Sequence, residues 1–251
     1  MSDNYKESFE KTKKAGEIAA GALDEVAKII KPGIQTDKID KLCYEYINDN
    51  GAYSAPLFYR GFPKSCCTST NHIVCHGIPS DKTLKDGDIV NVDVTALKDG
   101  WHGDTSRTYE IGEVSVKAKK LVKTTFDAMM KAIKIIKEDV FLGDIGATIQ
   151  NHVEAEGFSV VQDFCGHGIG RHFHQEPNVL HYGKKGTGER IKAGMIFTIE
   201  PMINFGKYET KTLNDGWTAV TKDKSLSAQF EHTIGVTKDG CEVFTLSNKG
   251  N

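Results

Sequence analysis

The sequence predicts an α/β (α+β) fold in which a helix–helix–strand unit occurs twice and both copies share one domain. Three internal matches point to it. Lys28-Ile29-Ile30-Lys31 recurs as Lys134-Ile135-Ile136-Lys137, an offset of 106 that also carries Ile34 to Val140, Ile39 to Ile145, Ile47 to Val153 and Gly51 to Gly157. The stretch 84–93, ending in Asp93, recurs as 191–200, ending in Glu200, at an offset of 107. Between them, His76-Gly77-Ile78 echoes His167-Gly168-Ile169 with the offset shortened to 91. Two copies at so long a period exclude a solenoid. No Pro- or Ser-rich linker divides them, so residues 1–251 read as a single domain with halves of approximately 8–110 and 115–245 and a site at their junction.

The elements follow in order. Ile18, Ala22, Val26, Ile29 and Ile30 have helical spacing. Thr36 can cap a second helix with apolar face Ile39, Leu42, Cys43, Tyr46 and Ile47, ending near Gly51. Residues 89–95 alternate as a strand, with Val90, Val92 and Val94 on one face and Ile89, Asn91, Asp93 and Thr95 on the other. Asp99-Gly100 reads as a two-residue hairpin turn, pairing Lys98 with Trp101 and Thr95 with Asp104. Ser115 can cap a third helix bearing Leu121, Val122, Phe126, Met129, Met130, Ile133 and Ile136. Ile145, Ile149 and Val153 mark a fourth, closed by Gly157. Lys117, Lys119, Lys120 and Lys123 read as a solvated helix face.

Composition sets bounds. Apolar residues are 39% and charged residues 26%, an ordinary globular balance. A net charge of -2 disfavours partners held by bulk positive charge, so nucleic acid is not required. No apolar run reaches membrane-spanning length, and the start, Met1-Ser2-Asp3-Asn4, is polar without a signal-peptide core. The six cysteines, 43, 66, 67, 75, 165 and 241, show no C-x-x-C pair and read as free thiols in a reducing compartment.

The hairpin register makes Asp93 and Asp104 diagonal neighbours on one face, with backbone positions roughly 7–8 Å apart. An isolated strand aspartate is ordinarily a solvated one. Here Ile89 shares the face, and the duplication sets Glu200 where Asp93 stands in the first half. Glu200 ends the run Met195-Ile196-Phe197-Thr198-Ile199, and Glu231 sits between Phe230 and His232-Thr233-Ile234. Acids in strand-like runs need compensation, which a metal cluster supplies. His167, within Cys165-Gly166-His167-Gly168-Ile169-Gly170, completes a donor set of two Asp, two Glu and one His. Such a set suits Mn, Fe, Co or Zn, and two acids can bridge a pair of ions.

These residues carry a resemblance. Cys75-His76-Gly77-Ile78-Pro79, Asn91-Val92-Asp93-Val94, Gly100-Trp101-His102-Gly103-Asp104-Thr105, Gly166-His167-Gly168-Ile169-Gly170, Phe173-His174, Thr198-Ile199-Glu200-Pro201 and Gln229-Phe230-Glu231-His232-Thr233 resemble type I methionine aminopeptidases in motif and order. The resemblance implies the pita-bread fold, a pseudo-twofold α/β domain around a dinuclear centre. It implies a cytoplasmic, monomeric enzyme that hydrolyses the bond after an N-terminal methionine with a metal-bound water, favours a small second residue, and acts on peptides and nascent proteins, with transient ribosome contact open.

Position by position, the resemblance makes Asp93, Asp104, His167, Glu200 and Glu231 the ligands of two divalent ions (Co, Mn, Fe or Zn), with Asp104 and Glu231 bridging. It makes Glu200 the proton shuttle and His76 and His174 non-ligand substrate contacts. Tyr59, Phe62, Cys67, Phe173 and Trp217 match the methionine pocket; position 62 is commonly Tyr in relatives, and Pro56 stands where some carry Cys. Asn71, Ile73 and Ser227 resemble a monovalent-cation site. His102, His152, His172, His181 and His232 read as structural or surface residues. Longer eukaryotic members carry an N-terminal Cys/His region that this sequence lacks, so a bacterial or organellar protein is expected. The rival readings are a Xaa-Pro peptidase of the same fold, whose usual extra N-terminal domain is missing here, and a pita-bread binding protein that has lost catalysis, against which all five ligands speak.

Overall fold

The structure, a computed structural model, describes residues 5–247; the polar start, Met1 to Asn4, lies outside the described residues. Four helices form two pairs, α1 (Lys6–Ile29) with α2 (Thr36–Asp49), and α3 (Val116–Ile135) with α4 (Leu142–Ala155). The apolar stripes read from the sequence are the buried ones: Ile39, Cys43 and Ile47 on α2, and Leu121, Val122, Met129 and Ile133 on α3. Ser115 caps α3 by accepting the Ala118 N–H. Gly51 and Gly157 close the second helix of each pair at φ of 64° and 83°, where a side chain would be strained. Thr36 departs from expectation. It is the first residue of α2 rather than its cap, because its hydroxyl is spent on Ser80, donating to the carbonyl at 3.0 Å and accepting the N–H at 2.9 Å.

Five strands belong to the first half: β1 (Tyr53–Ser54), β2 (Cys67–Thr70), β3 (Ile73–Cys75), β4 (Ile89–Lys98) and β5 (Trp101–Glu110). The second half supplies β6 (Ser159–Val160), β7 (Gly166–Gly168), β8 (Gln175–Val179), β9 (Ile196–Ile199), β10 (Met202–Asn204), β11 (Thr210–Thr212), β12 (Ala219–Thr221), β13 (Ser227–Gln229), β14 (Glu231–Val236) and β15 (Cys241–Val243). The main sheet runs β1-β4-β5-β14-β9-β7-β8, with β2 also on β4 and β15 on β14. Read outward from the β5–β14 pair, one side presents β4 then β2, and the other presents β9 then β7. That is the duplication seen in the sequence. The small sheets β13-β10-β6 and β11-β12-β3 flank it.

The β4–β5 hairpin has the expected register, Lys98 opposite Trp101 and Thr95 opposite Asp104, turned by Asp99 and Gly100 at φ of 51° and 79°. Val90, Val92 and Val94 pack with Leu23, Val26, Ile39, Cys43 and Ile47 of α1 and α2. Burying each valine is worth about 1.5–3 kcal/mol. A slip of one residue would turn Asp93 into that core, so the register is strongly specified. Gly103 sits where α1 crosses β5, and a Cβ there would stand 2.2 Å from the Gly16 nitrogen. The second half has its own core, α3 and α4 against Phe197, Ile199, Ile234 and Val236.

One sequence match does not survive. His167 lies inside β7, paired with β8 and β9, whereas His76 follows β3 in the small sheet. The place of β7 beside β9 corresponds to that of β2 beside β4, so the two His-Gly-Ile runs are not equivalents, and the odd offset of 91 was the sign of it.

Candidate metal centre

Asp104 and Glu200 are each held by hydrogen bonds from neighbouring strand residues. Thr95, opposite Asp104, donates its hydroxyl to Asp104 Oδ1 at 2.7 Å. Glu231 opens β14 opposite Ser106 of β5, which brings the two central strands to one site. Glu200 directly follows β9. Thr198 donates to its Oε1 at 2.7 Å, and Gln229 Nε2 donates to its Oε2 at 3.3 Å. The Glu200 N–H in turn donates to His181 Nε2 at 3.1 Å.

His167 reaches the acids with its Nε2, 3.5 Å from Glu200 Oε1 and 3.7 Å from Asp104 Oδ2. Its Nδ1 lies 3.0 Å from the Gly168 carbonyl, a contact that places the proton on Nδ1 and leaves the Nε2 lone pair facing the carboxylates. The flanking glycines let neighbouring strands close in: a Cβ on Gly168 would meet the Glu176 carbonyl oxygen at 2.1 Å, and one on Gly166 the Thr198 carbonyl oxygen at 2.4 Å.

Burial dominates the electrostatics. It pushes Asp93 up to about 7 and Glu200 up to about 8. Asp104 and Glu231 are driven well above the usual carboxylate range by burial and by the neighbouring acids. Burial also pushes His167 down to about 4, so at pH 7 the imidazole is neutral and cannot offset them. Ligand atoms of Asp104, His167 and Glu231 all lie within 4.8 Å of one another. Three buried carboxylates and the half-buried Asp93, in one cavity with a neutral imidazole nitrogen, fit a divalent cation, whose charge removes the penalty that otherwise forces protons onto the acids.

All five expected ligands line one cavity of about 380 Å³. His76, His174, Tyr59, Phe62, Cys67, Phe173 and Trp217 line it too. Phe62 meets Trp217 edge-on at 5.2 Å between ring centres, and Tyr59 meets Phe173 at 4.8 Å. His102, at its expected structural task, stacks on Phe173 from behind and is tied to the Gly170 carbonyl at 2.8 Å. His174 sits at the mouth, its Nδ1 3.0 Å from the Tyr59 hydroxyl and its ring 4.3 Å from that of His167. His174 keeps solvent exposure, which tempers the downward push that desolvation and the nearby imidazoles give its pKa; the direction leaves it neutral. His76 holds φ of 56°, an unusual conformation for a non-glycine residue of the kind found at functional sites.

Asn71 and Ser227 lie outside this cavity, with the Ser227 N–H donating to the Asn71 carbonyl at 2.8 Å. Several residues of the site have no role assigned from the sequence. Thr95 was already placed opposite Asp104 by the hairpin, and Thr198 stands two residues before Glu200 on the same strand, so both had a signal. Gln229 stands in the motif that carries Glu231, whereas Arg60, which also lines the cavity, had no signal. Pro56, given no role, is part of the lining.

The metallopeptidase family M24 model matches residues 10–238. A methionine aminopeptidase of Rickettsia prowazekii is 57% identical over 242 residues, covering 96% of this chain and 93% of that protein. One from Escherichia coli (strain K12) is 53% identical over 242 residues, covering 96% and 92%. The crystal structure of methionine aminopeptidase from Rickettsia prowazekii superposes with a TM-score of 0.94 at 56% identity, covering 96% of this chain and 97% of that one. The duplicated α/β architecture is thus the pita-bread fold. Among the described residues, no helix is long and apolar enough to cross a membrane.

Proposed function

The chain belongs to metallopeptidase family M24, and from that premise we propose that it removes the N-terminal methionine from peptides and nascent proteins, favouring a small second residue. The observation that carries this is the single cavity in which an aromatic pocket opens directly onto the five-residue cluster. Asp93, Asp104, His167, Glu200 and Glu231 would hold two divalent ions of the Mn, Fe, Co or Zn kind, with Asp104 and Glu231 shared between them. Bound there, such ions lower the pKa of water towards neutrality and polarise a carbonyl group.

The chain's own residues do the rest. Tyr59, Phe62, Cys67, Phe173 and Trp217 surround the unbranched methionine side chain. Glu200, with both carboxylate oxygens fixed by Thr198 and Gln229, takes a proton from the attacking water and passes it to the leaving amine. His174 donates from Nε2 to the carbonyl oxygen as negative charge develops; a Tyr59 hydroxyl that donates to Nδ1 keeps the proton on Nε2. His76 bonds the amide of the second residue. A monovalent cation near Asn71 and Ser227 belongs to the same reading, supported by the buried Ser227 hydroxyl that has no hydrogen-bond partner among the described residues. So do a monomeric state, transient ribosome contact and a cytoplasmic setting, the last fitting six free cysteines.

The test is a comparison of Met-Ala-Ser, Leu-Ala-Ser and a Xaa-Pro peptide. A mismatch in such a pocket is typically worth about 1–3 kcal/mol, so kcat/KM for the leucine peptide should fall roughly 5- to 150-fold. Equal rates for Met and Leu would refute the pocket assignment. Preferred cleavage of Xaa-Pro would replace the reading with the proline-specific one.

A further inference from the structure

The rim of the cavity carries a charge that the proposed reaction does not use. Arg60 lines the cavity, is exposed, and has its guanidinium carbon 5.4 Å from the centre of the Tyr59 ring. Arg107 and Arg190 face Asp24 and Asp139, whereas among the described residues Arg60 pairs with no carboxylate. The segment bearing it is built, not loose. The Phe58 N–H donates to the Phe62 carbonyl at 2.8 Å, and the Gly61 N–H to the Phe58 carbonyl at 3.1 Å. Phe58 and Arg60 both adopt left-handed conformations, φ of 64° and 48°, which non-glycine residues keep only where the surroundings enforce them. The result is a fixed rim that presents Phe58, 74% exposed, and the Arg60 guanidinium outward on either side of Tyr59.

Tyr59 links this rim to the reacting centre. Its hydroxyl meets His174 Nδ1, and the positive charge of Arg60 is among the influences that disfavour protonation of His174. A peptide whose scissile carbonyl lies at His174 places its second residue just beyond it. At about 3.3 Å per extended residue, the third side chain is the first to reach the lip. We propose that Arg60 is a specificity-determining residue that contacts the third residue of the substrate and favours an acidic side chain there. This rests on the methionine-removal reading. Asp163, whose carboxylate accepts the Thr210 hydroxyl at 2.5 Å, also lines the cavity, so a peptide running along its wall would show the opposite preference.

The experiment uses the full chain reloaded with divalent metal and three C-terminally amidated peptides, Met-Ala-Glu-Gly, Met-Ala-Gln-Gly and Met-Ala-Lys-Gly. An exposed ion pair of this kind supports about a two- to fivefold advantage in kcat/KM of Glu over Gln at low salt, carried in KM rather than kcat. Raising ionic strength to about 1 M should shrink it towards unity. In Arg60→Gln the Glu-to-Gln ratio should collapse to about one, Arg60→Lys should retain part of it, and Arg60→Glu should favour the Lys peptide. Ratios within one preparation are independent of how much of a variant folds. Equal kcat/KM for the three peptides in the wild type, a preference for Lys, or an Arg60→Gln ratio like the wild type would each overturn the assignment of Arg60. Cleavage of none of them would instead overturn the methionine-removal reading itself.

Discussion

The two halves of the molecule reach the same centre by different routes. In the first half Asp93 and Asp104 come from one hairpin with a two-residue turn, and the spacing of the acids follows from local pairing alone. In the second half Glu200 and Glu231 also lie on or beside neighbouring strands, β9 and β14, but the chain between them leaves the sheet to build β10 to β13 and to deliver Trp217 and Gln229 to the cavity. The second half adds His167 from β7, at a sheet position where the first half has the β2 strand with Cys67 opposite Asp93. Duplication therefore supplied the symmetric frame and the acids. The second half alone contributes the imidazole of His167, and Thr198 and Gln229 donate to both carboxylate oxygens of Glu200.

The sharpest way to break that comparison is to remove one acid from each role. Asp104, beside the axis between the halves, should serve both ions, and Asp93 only one. Removing one partner from a buried charged cluster typically costs about 3–5 kcal/mol, so Asp104→Asn should weaken binding at both sites by roughly 10²–10³-fold or more. Asp93→Asn should weaken mainly one. Calorimetric titration with Mn shows the difference, and two intact sites in Asp104→Asn would contradict it. Next in size is His174, a second-half residue proposed to act without binding metal. His174→Ala should lower kcat by roughly 10²–10³ while keeping its metal content and changing KM less. Near-full kcat in a folded, metalled variant would remove His174 from the chemistry; loss of metal would make it part of the centre instead.

The hairpin shows why so much was legible. The alternation of Val90, Val92 and Val94 with Asn91, Asp93 and Thr95, followed by Asp99-Gly100, specifies register locally, and the helices that bury the valines only reinforce it. The helix stripes and the Ser115 cap were readable for the same reason. What failed was non-local. Thr36 looked like a cap because its bond to Ser80, 44 residues on, leaves no trace in neighbouring residues. The His76 and His167 runs matched in letters while their strands sit in different sheets. His181, under the Glu200 backbone, and Arg60, on the rim, belong to no periodicity and no turn, so nothing in the local pattern marks them.

A smaller effect separates the acids from the histidines through pH. Asp93 and Glu200 have folded-state values raised to about 7 and about 8, so in metal-free protein their stabilising contribution is complete below the unfolded carboxylate range and is lost as pH rises through those values. His167, His181 and His232 are shifted the other way, to about 4, about 3 and about 4, and lose their contribution only as pH falls below the normal histidine range. Between about pH 6.5 and 8 the acids alone titrate. The Tm of chelated protein should therefore fall across that window, and divalent ions should abolish the slope. A flat profile without metal would mean that the carboxylates are compensated by the chain itself.

The central claim is that acids from both halves and His167 form a centre that works only with divalent metal and acts on N-terminal methionine. Hydrolysis of Met-Ala-Ser after exhaustive chelation, followed by stepwise return of Mn, Fe, Co or Zn, tests it directly. The chelated enzyme should be inert, activity should return with at least one of these ions in wild type, and Asp104→Asn should stay inert at ion concentrations that restore the wild type. Full activity in the chelated protein, or a folded protein that no divalent ion activates, would contradict it.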